Sequence, residues 1–278
     1  MTNPNDRSIL VTGASSGIGL ASARLLKSRG WRVLATARRS EDLARLAEQV
    51  GVEALPLELS DLASVAACAR EALERTEGRL YAIFNNAAYG QPGAVEDLTA
   101  DVLRRQLEVN LIGTHELTRL VIPAMRAAGR GRIVQCSSVL GVMSAPYRGA
   151  YCASKFALEG LSDALRLELA SSGIAVAIIQ PGPIRTGFVA RALQAFRANI
   201  DITGSPHRRT YEARLAAMER GGKEAFKLEP EAVAQSLLHA VESKRPRLHY
   251  RVTVPARAAP VLKRLLPVRL LDRIAMRS

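Results

Sequence analysis

Three cysteines stand in 278 residues, Cys68, Cys136 and Cys152, and none sits in a CxxC pair or beside a group of histidines. That excludes a disulfide framework and a cysteine-ligated zinc site, so no metal is expected, and it points to a reducing, cytoplasmic setting. Long apolar stretches are missing as well. The longest uninterrupted run, Ile174 to Ile179, is far too short to span a bilayer. The polar start MTNPNDRS has no secretory hydrophobic region, and a soluble protein is expected. There is no low-complexity tract, no repeat of solenoid period and no linker that would divide the chain. A single domain over residues 1–278 is the expectation.

What is abundant is apolar residues, 48% of the chain, and positive charge, a formal +13. The apolar fraction is enough for a sizeable core. The charge is concentrated at the end: from Lys244 onward there are ten basic residues against one acid, Asp272, a net +9. No nucleic-acid motif accompanies them, so they read as a solvated basic face and nucleic acid is not an expected partner. The same tail, 244–278, carries Leu262, Leu265, Leu266, Leu270, Leu271 and Ile274, with Pro267 interrupting any continuous helix. Docking on protein is its first reading, and weak peripheral contact with anionic lipid its second.

Short β-like runs alternate with helical patterns. Strands are expected at Ser8 to Thr12, Arg32 to Thr36, Ala54 to Leu59, Tyr81 to Asn85, Arg132 to Cys136 and Ala175 to Gln180, with a seventh around Tyr250 to Val254. Helices are expected from Gly19 to Gly30, from an N-cap at Ser40, from Asp101 to Ala128 and from Tyr151 to Ser171. This is an α/β pattern, a Rossmann-type doubly wound parallel sheet with helices on both faces. Residues 187–227 break the alternation after the last strong strand. Ligands of open α/β sheets bind beyond the carboxyl ends of the strands, so this insertion is placed to form a substrate lid.

The first strand runs into Thr12-Gly-Ala-Ser-Ser-Gly-Ile-Gly19, which then opens a helix. Its glycines, Gly13, Gly17 and Gly19, let the backbone turn tightly and approach a pyrophosphate at a positive helix N-terminus. A nucleotide site follows from that position. The second strand ends not in the acid typical of NAD binders but in Ala37-Arg38-Arg39. An arginine fork suits a 2′-phosphate, so NADP(H) is expected, with Arg38 the leading contact and Arg39 second.

The stretch YRGAYCASK places Tyr151 and Lys155 one helical turn apart, about 6 Å along the axis. A free phenol, with a pKa of about 10, is a poor general acid–base at neutral pH. A neighbouring ammonium favours the phenolate, so the spacing predicts that Lys155 lowers the Tyr151 pKa. Tyr147 lies about 12 Å from Lys155 along any such helix and reads as a pocket wall. Ser138, at the end of the preceding strand, is placed to donate its hydroxyl to a carbonyl oxygen beside Tyr151. Val139, Leu140, Met143, Tyr147 and Phe188 are expected around a lipophilic substrate.

TGASSGIG, NNAA (Asn85 to Ala88), Asn110 in VNLIG, QCSS, YCASK and PGPIRTGF occur in that order. Together they resemble the short-chain dehydrogenase/reductase family over about residues 7 to 255. Within it the chain looks like bacterial NADP-dependent aldehyde reductases and the retinol and 17β-hydroxysteroid dehydrogenase branch. The resemblance implies that Gly13, Ser15, Ser16, Gly17, Ile18 and Gly19 wrap the cofactor phosphates. It implies that Asn86 meets the adenosine ribose through its backbone, and that Ile184 and Thr186 meet the nicotinamide carboxamide. Glu58, Leu59, Ala87, Pro181 and Gly182 join the cofactor contacts on the same ground, with Lys155 on the nicotinamide ribose beside Tyr151. Asn110 is implied to distort its helix and to hold a water against Lys155, extending a proton relay. The family's usual Asp at the third strand end is replaced by Glu58-Leu59, and its NNAG by NNAA. The expected reaction is hydride transfer between NADP(H) and a carbonyl or alcohol, most readily the reduction of a lipophilic aldehyde or ketone. A steroid- or retinoid-type alcohol dehydrogenase and a non-catalytic NADP sensor are the alternatives. The two long helices imply a homodimer or homotetramer.

Overall fold

The computed structural model describes residues 7–219 and 225–276. Its elements in chain order are β1 (Ser8–Val11), α1 (Gly17–Ser28), β2 (Arg32–Ala37), α2 (Ser40–Arg45), β3 (Glu53–Pro56), α3 (Leu62–Arg75) and β4 (Ala82–Asn85). Then come α4 (Ala100–Leu107), α5 (Gly113–Ala127), β5 (Gly131–Cys136), α6 (Gly149–Glu168) and β6 (Ile174–Gln180). The chain ends with α7 (Phe188–Asn199), α8 (Arg208–Glu219), α9 (Glu231–Glu242), β7 (His249–Arg251), α10 (Val254–Leu265) and α11 (Val268–Met276).

The strands form one seven-stranded sheet in the order β3-β2-β1-β4-β5-β6-β7, every pair parallel. Period-two alternation sends successive residues to opposite faces. Ile9, Val11, Phe84 and Val134 pack on one side with Leu26 of α1 and Val233 and Leu237 of α9. Leu10, Ile83 and Ile133 pack on the other with Val65 of α3 and Leu117, Val121 and Met125 of α5. The order reverses between β1 and β4, and the crevice above their carboxyl ends is where the glycine loop emerges. All three cysteines are buried in this framework, and burial pushes the Cys68 thiol up to about 12 and the Cys136 thiol up to about 11.

Three sequence expectations change. The helix expected from Asp101 to Ala128 is regular only in α4 and α5; between them Glu108–Ile112 is a π-helical turn that carries Asn110 inward. Ser40 is the first residue of α2 and not its cap: Arg39 occupies that position and no side chain caps the helix, because the acid of the first turn, Asp42, is drawn to Arg39 and Arg45. The last strand ends at Arg251, since Thr253 caps α10 by accepting from Ala256 N–H. Of the expected lid and tail, residues 220–224 and Arg277 lie outside the described residues. The tail divides at Pro267 into α10 and α11. α10 docks on the domain through buried Ala256 and Ala259, and Lys263 lies 4.9 Å over the Phe156 ring.

The π-turn meets the sheet through Gly113, where an added Cβ would lie 2.0 Å from the Leu59 carbonyl oxygen. Both sides of that contact are backbone, so neither yields cheaply. Gly113→Ala should therefore destabilise the chain by about 1–3 kcal/mol. The check is urea denaturation, with a lower midpoint at an unchanged slope.

Candidate active site

The glycine loop is braced from below by the end of β4. Thr12 Oγ1 accepts from the N–H groups of both Asn86 and Ala87, each at 2.9 Å, and Asn86 Nδ2 donates to the Thr12 carbonyl at 2.9 Å. The Asn86 N–H, expected at a ribose, is thus spent on the loop. The three glycines are sterically required. A Cβ on Gly13 (φ +67°) would lie 2.9 Å from Ala87 Cα, and one on Gly19 would lie 2.2 Å from the Gly13 carbonyl oxygen. Ser15 is fixed by its carbonyl, which accepts from Arg45 at 2.7 Å, and Ile18 packs on the core. The first turn of α1 carries no acid, leaving its positive end unopposed. A cradle with side chains excluded and amide donors at a helix start fits the phosphates of a dinucleotide.

At the adenosine end the two arginines part. Arg39 pairs with Asp42 at 3.1 Å and reads as a surface charge. Arg38 is 70% exposed and only 3.7 Å from Glu58, a loose pair that leaves its fork available. Glu58 is otherwise occupied locally, accepting from the Ser60 hydroxyl at 2.8 Å and the Ser60 N–H at 3.1 Å. Leu59 is buried beneath the π-turn.

At the other end α6 brings Tyr151 and Lys155 inward, both buried, below buried Ser138. Ser138 caps the 3-10 turn Val139–Gly141, its Oγ accepting from Leu140 N–H at 3.1 Å, and it hydrogen-bonds to the Tyr151 phenol. The Lys155 ammonium donates to the Cys136 carbonyl at 2.7 Å and lies 5.7 Å from the centroid of the Tyr151 ring. Asn110 accepts from Tyr89 N–H at 3.1 Å and donates to Ser154 Oγ at 3.1 Å; Ser154 in turn donates to the Tyr151 carbonyl at 2.8 Å. The π-turn is thereby tied to the backbone of α6 at Tyr151. Ser154 and Tyr89 carry this link and escaped the sequence reading, although Ser154 stands inside YCASK and α-helical spacing puts it on the face next to Tyr151.

The electrostatics differ from what the spacing alone predicts. Burial pushes the Tyr151 phenol well above its ordinary value, opposed by the Ser138 hydrogen bond and the Arg148 guanidinium. Burial also holds the Lys155 ammonium below its ordinary value. Desolvation therefore outweighs the attraction that the four-residue spacing suggested, and it keeps the phenol protonated.

Phe188, at the start of α7, sets its ring 5.4 Å from that of Tyr151. Val139, Leu140 and Met143 are half-buried beside Ser138. Tyr147, in left-handed geometry at φ +62°, turns the other way. Its hydroxyl meets His207 Nδ1 at 3.1 Å, and Arg214 of α8 lies 4.4 Å over its ring. Pro181 and Gly182 close the end of β6, with Gly182 packed so tightly that a Cβ would lie 2.1 Å from Thr253 Oγ1. Under α7 a cavity of about 450 Å³ is lined by Ile184, Thr186, Val189, Leu193, Arg197 and Glu219. Among the described residues no group of His, Cys, Asp and Glu is arranged to hold a metal, and no helix is long and apolar enough to cross a membrane.

The family model described as short chain dehydrogenase matches residues 7–195. The chain belongs to the short-chain dehydrogenase family. It is 43% identical over 269 residues to the uncharacterized oxidoreductase YbbO of Escherichia coli strain K12, covering 96% of this chain and 93% of that one. It is 36% identical to human 17-beta-hydroxysteroid dehydrogenase type 1 over 266 residues, 92% of this chain and 79% of the relative. Among solved structures, a short chain dehydrogenase/reductase from Burkholderia phymatum in complex with NAD superposes with a TM-score of 0.79 at 27% identity, over 95% of this chain and 94% of that one. As a short-chain dehydrogenase the chain is an oxidoreductase, and the glycine cradle is its nicotinamide-cofactor site.

Proposed function

We propose that this short-chain dehydrogenase is an NADP(H)-dependent reductase of lipophilic aldehydes or ketones. The observation that carries the reading is the convergence of Ser138, Tyr151 and Lys155 on one end of the cradle, with Arg38 at the other. When bound, the cofactor supplies the hydride. Ser138 Oγ holds the carbonyl oxygen and opposes its developing charge. Tyr151 gives that oxygen its proton. Lys155, anchored on the Cys136 carbonyl, presents its ammonium to the nicotinamide ribose and to the path by which Tyr151 is reprotonated. Asn110 fixes the π-turn beside Tyr151 and, as the relay member, carries that path toward solvent. Ile184 and Thr186 line the carboxamide side. The apolar groups at Val139, Leu140, Met143 and Phe188 favour a substrate without charge at the reacting carbon. Exposed apolar residues on the outer side of α6, Phe156, Leu161 and Leu167, support self-association through this helix into a homo-oligomer.

The test follows the near-ultraviolet absorbance of the reduced cofactor with a panel of aldehydes and ketones under NADPH and NADH. Wild type is expected to favour NADPH, and Arg38→Gln to lower kcat/KM for NADPH roughly ten- to a hundredfold, with little change for NADH, as the loss of a charge-assisted contact requires. A wild-type preference for NADH would sink the NADP(H) assignment.

A further inference from the structure

α7 touches the glycine loop at two points. At its root Thr186 packs on Gly17 (φ +54°), where a Cβ would lie 2.9 Å from Thr186 Cγ2. One turn into the helix the Arg191 guanidinium donates to Ser16 Oγ at 3.0 Å. Ser16 is the N-cap residue of α1 in extended geometry, yet its side chain caps no N–H of the helix. Its hydroxyl faces outward to the arginine. Arg191 has no carboxylate in hydrogen-bond contact: Asp42 attracts it from a distance but is bound by Arg39 at 3.1 Å and Arg45 at 2.7 Å. Its near neighbour is instead Arg38, and burial together with that like charge depresses the Arg191 guanidinium. Two arginines, one from the end of β2 and one from α7, therefore face each other across a serine hydroxyl. An anion between them converts repulsion into two charge-assisted contacts.

We propose that Arg191 is a phosphate ligand delivered by α7, closing with Arg38 and Ser16 a subsite for the 2′-phosphate of the dinucleotide. The proposal rests on the NADP(H) reading and extends it to the movement of the segment after β6. Phe188 and Arg191 lie three residues apart and share one face of α7. One touches the ring of Tyr151 and the other the phosphate loop. Fixing Arg191 on a phosphate therefore fixes Phe188 against Tyr151, so the carbonyl pocket is completed once the cofactor is in place. Substrate binding is then ordered, with the dinucleotide first.

Calorimetric titration of the full chain with 2′,5′-ADP, 5′-AMP and ADP-ribose tests this without turnover. Wild type should bind 2′,5′-ADP more tightly than 5′-AMP. Arg191→Gln should weaken 2′,5′-ADP about tenfold or more while leaving 5′-AMP and ADP-ribose within about twofold, and Arg191→Lys should recover part of the loss as a point charge without the fork. Hydrogen exchange in α7 should slow when 2′,5′-ADP is added to wild type and stay unchanged in Arg191→Gln, with matched urea midpoints confirming that both are folded. Unaltered 2′,5′-ADP affinity in Arg191→Gln, or an equal loss with ADP-ribose, overturns the proposal. A wild type that binds 2′,5′-ADP and 5′-AMP alike overturns the NADP(H) reading instead.

Discussion

Tyr151→Phe should keep the fold and the cofactor affinity and lose turnover by a factor of about 10²–10⁴, the range that a positioned proton donor supplies. The substitution removes one oxygen from a buried ring that stays packed against Phe188, so stopped-flow hydride transfer, and not a melting curve, is where the change appears. The direction of the phenol's shift sets the pH profile of wild type. Burial raises the pKa from its ordinary value, so the proton donor is present throughout the neutral range. Carbonyl reduction should be flat from about pH 6 to 9 and fall only beyond that. Alcohol oxidation needs the phenolate and should climb with pH across the same interval. A reduction rate that falls on a titration near pH 7 would show that another group gives the proton.

Lys155→Met separates activity from stability. Turnover should fall by about 10² or more, since reprotonation and ribose contact both lose their cation. Stability should stay within about 1 kcal/mol of wild type, because relief of a desolvated ammonium offsets the Cys136 carbonyl left without its donor. The ammonium is only 3% exposed and its hydrogen-bond acceptor is that one carbonyl. Linkage adds a signature. The folded chain holds the Lys155 pKa below its ordinary value, so near that lowered value the unfolded chain binds more protons. Wild-type stability should therefore rise as pH climbs from the lowered value toward about 10.5, and the variant should lack that slope. Urea midpoints at neutral and mildly alkaline pH check both points; a neutral-pH loss above about 3 kcal/mol would mark Lys155 as a structural cation.

Much of this was legible in the residues. Period-two apolar runs and the loop from Thr12 to Gly19 were enough to place the parallel sheet and the cradle, because both depend on local chemistry: alternation for the strands, missing side chains for the turn. Tyr151 and Lys155 were legible for the same reason, as helical spacing is local. What escaped depends on contacts distant in sequence. The π-turn exists because Gly113 lets the helix press on Leu59 and Asn110 reach Ser154, neither of which propensity encodes. Arg38 and Arg39 look alike in sequence, and only the position of Asp42 tells them apart. The phenol's upward shift could not be read from spacing, since it is set by how deeply α6 is buried. Arg191 had been counted only among the arginines of the segment after β6, since nothing near it in sequence announces Ser16 as its partner.

The interior placement of every thiol has a practical corollary. With Cys68, Cys136 and Cys152 all enclosed, a cysteine introduced on the outer side of α8 would be the one sulfur that a maleimide dye meets. The natural chain is thus already a background for single-site labelling, and a fluorophore there would follow opening and closing above the cleft in real time.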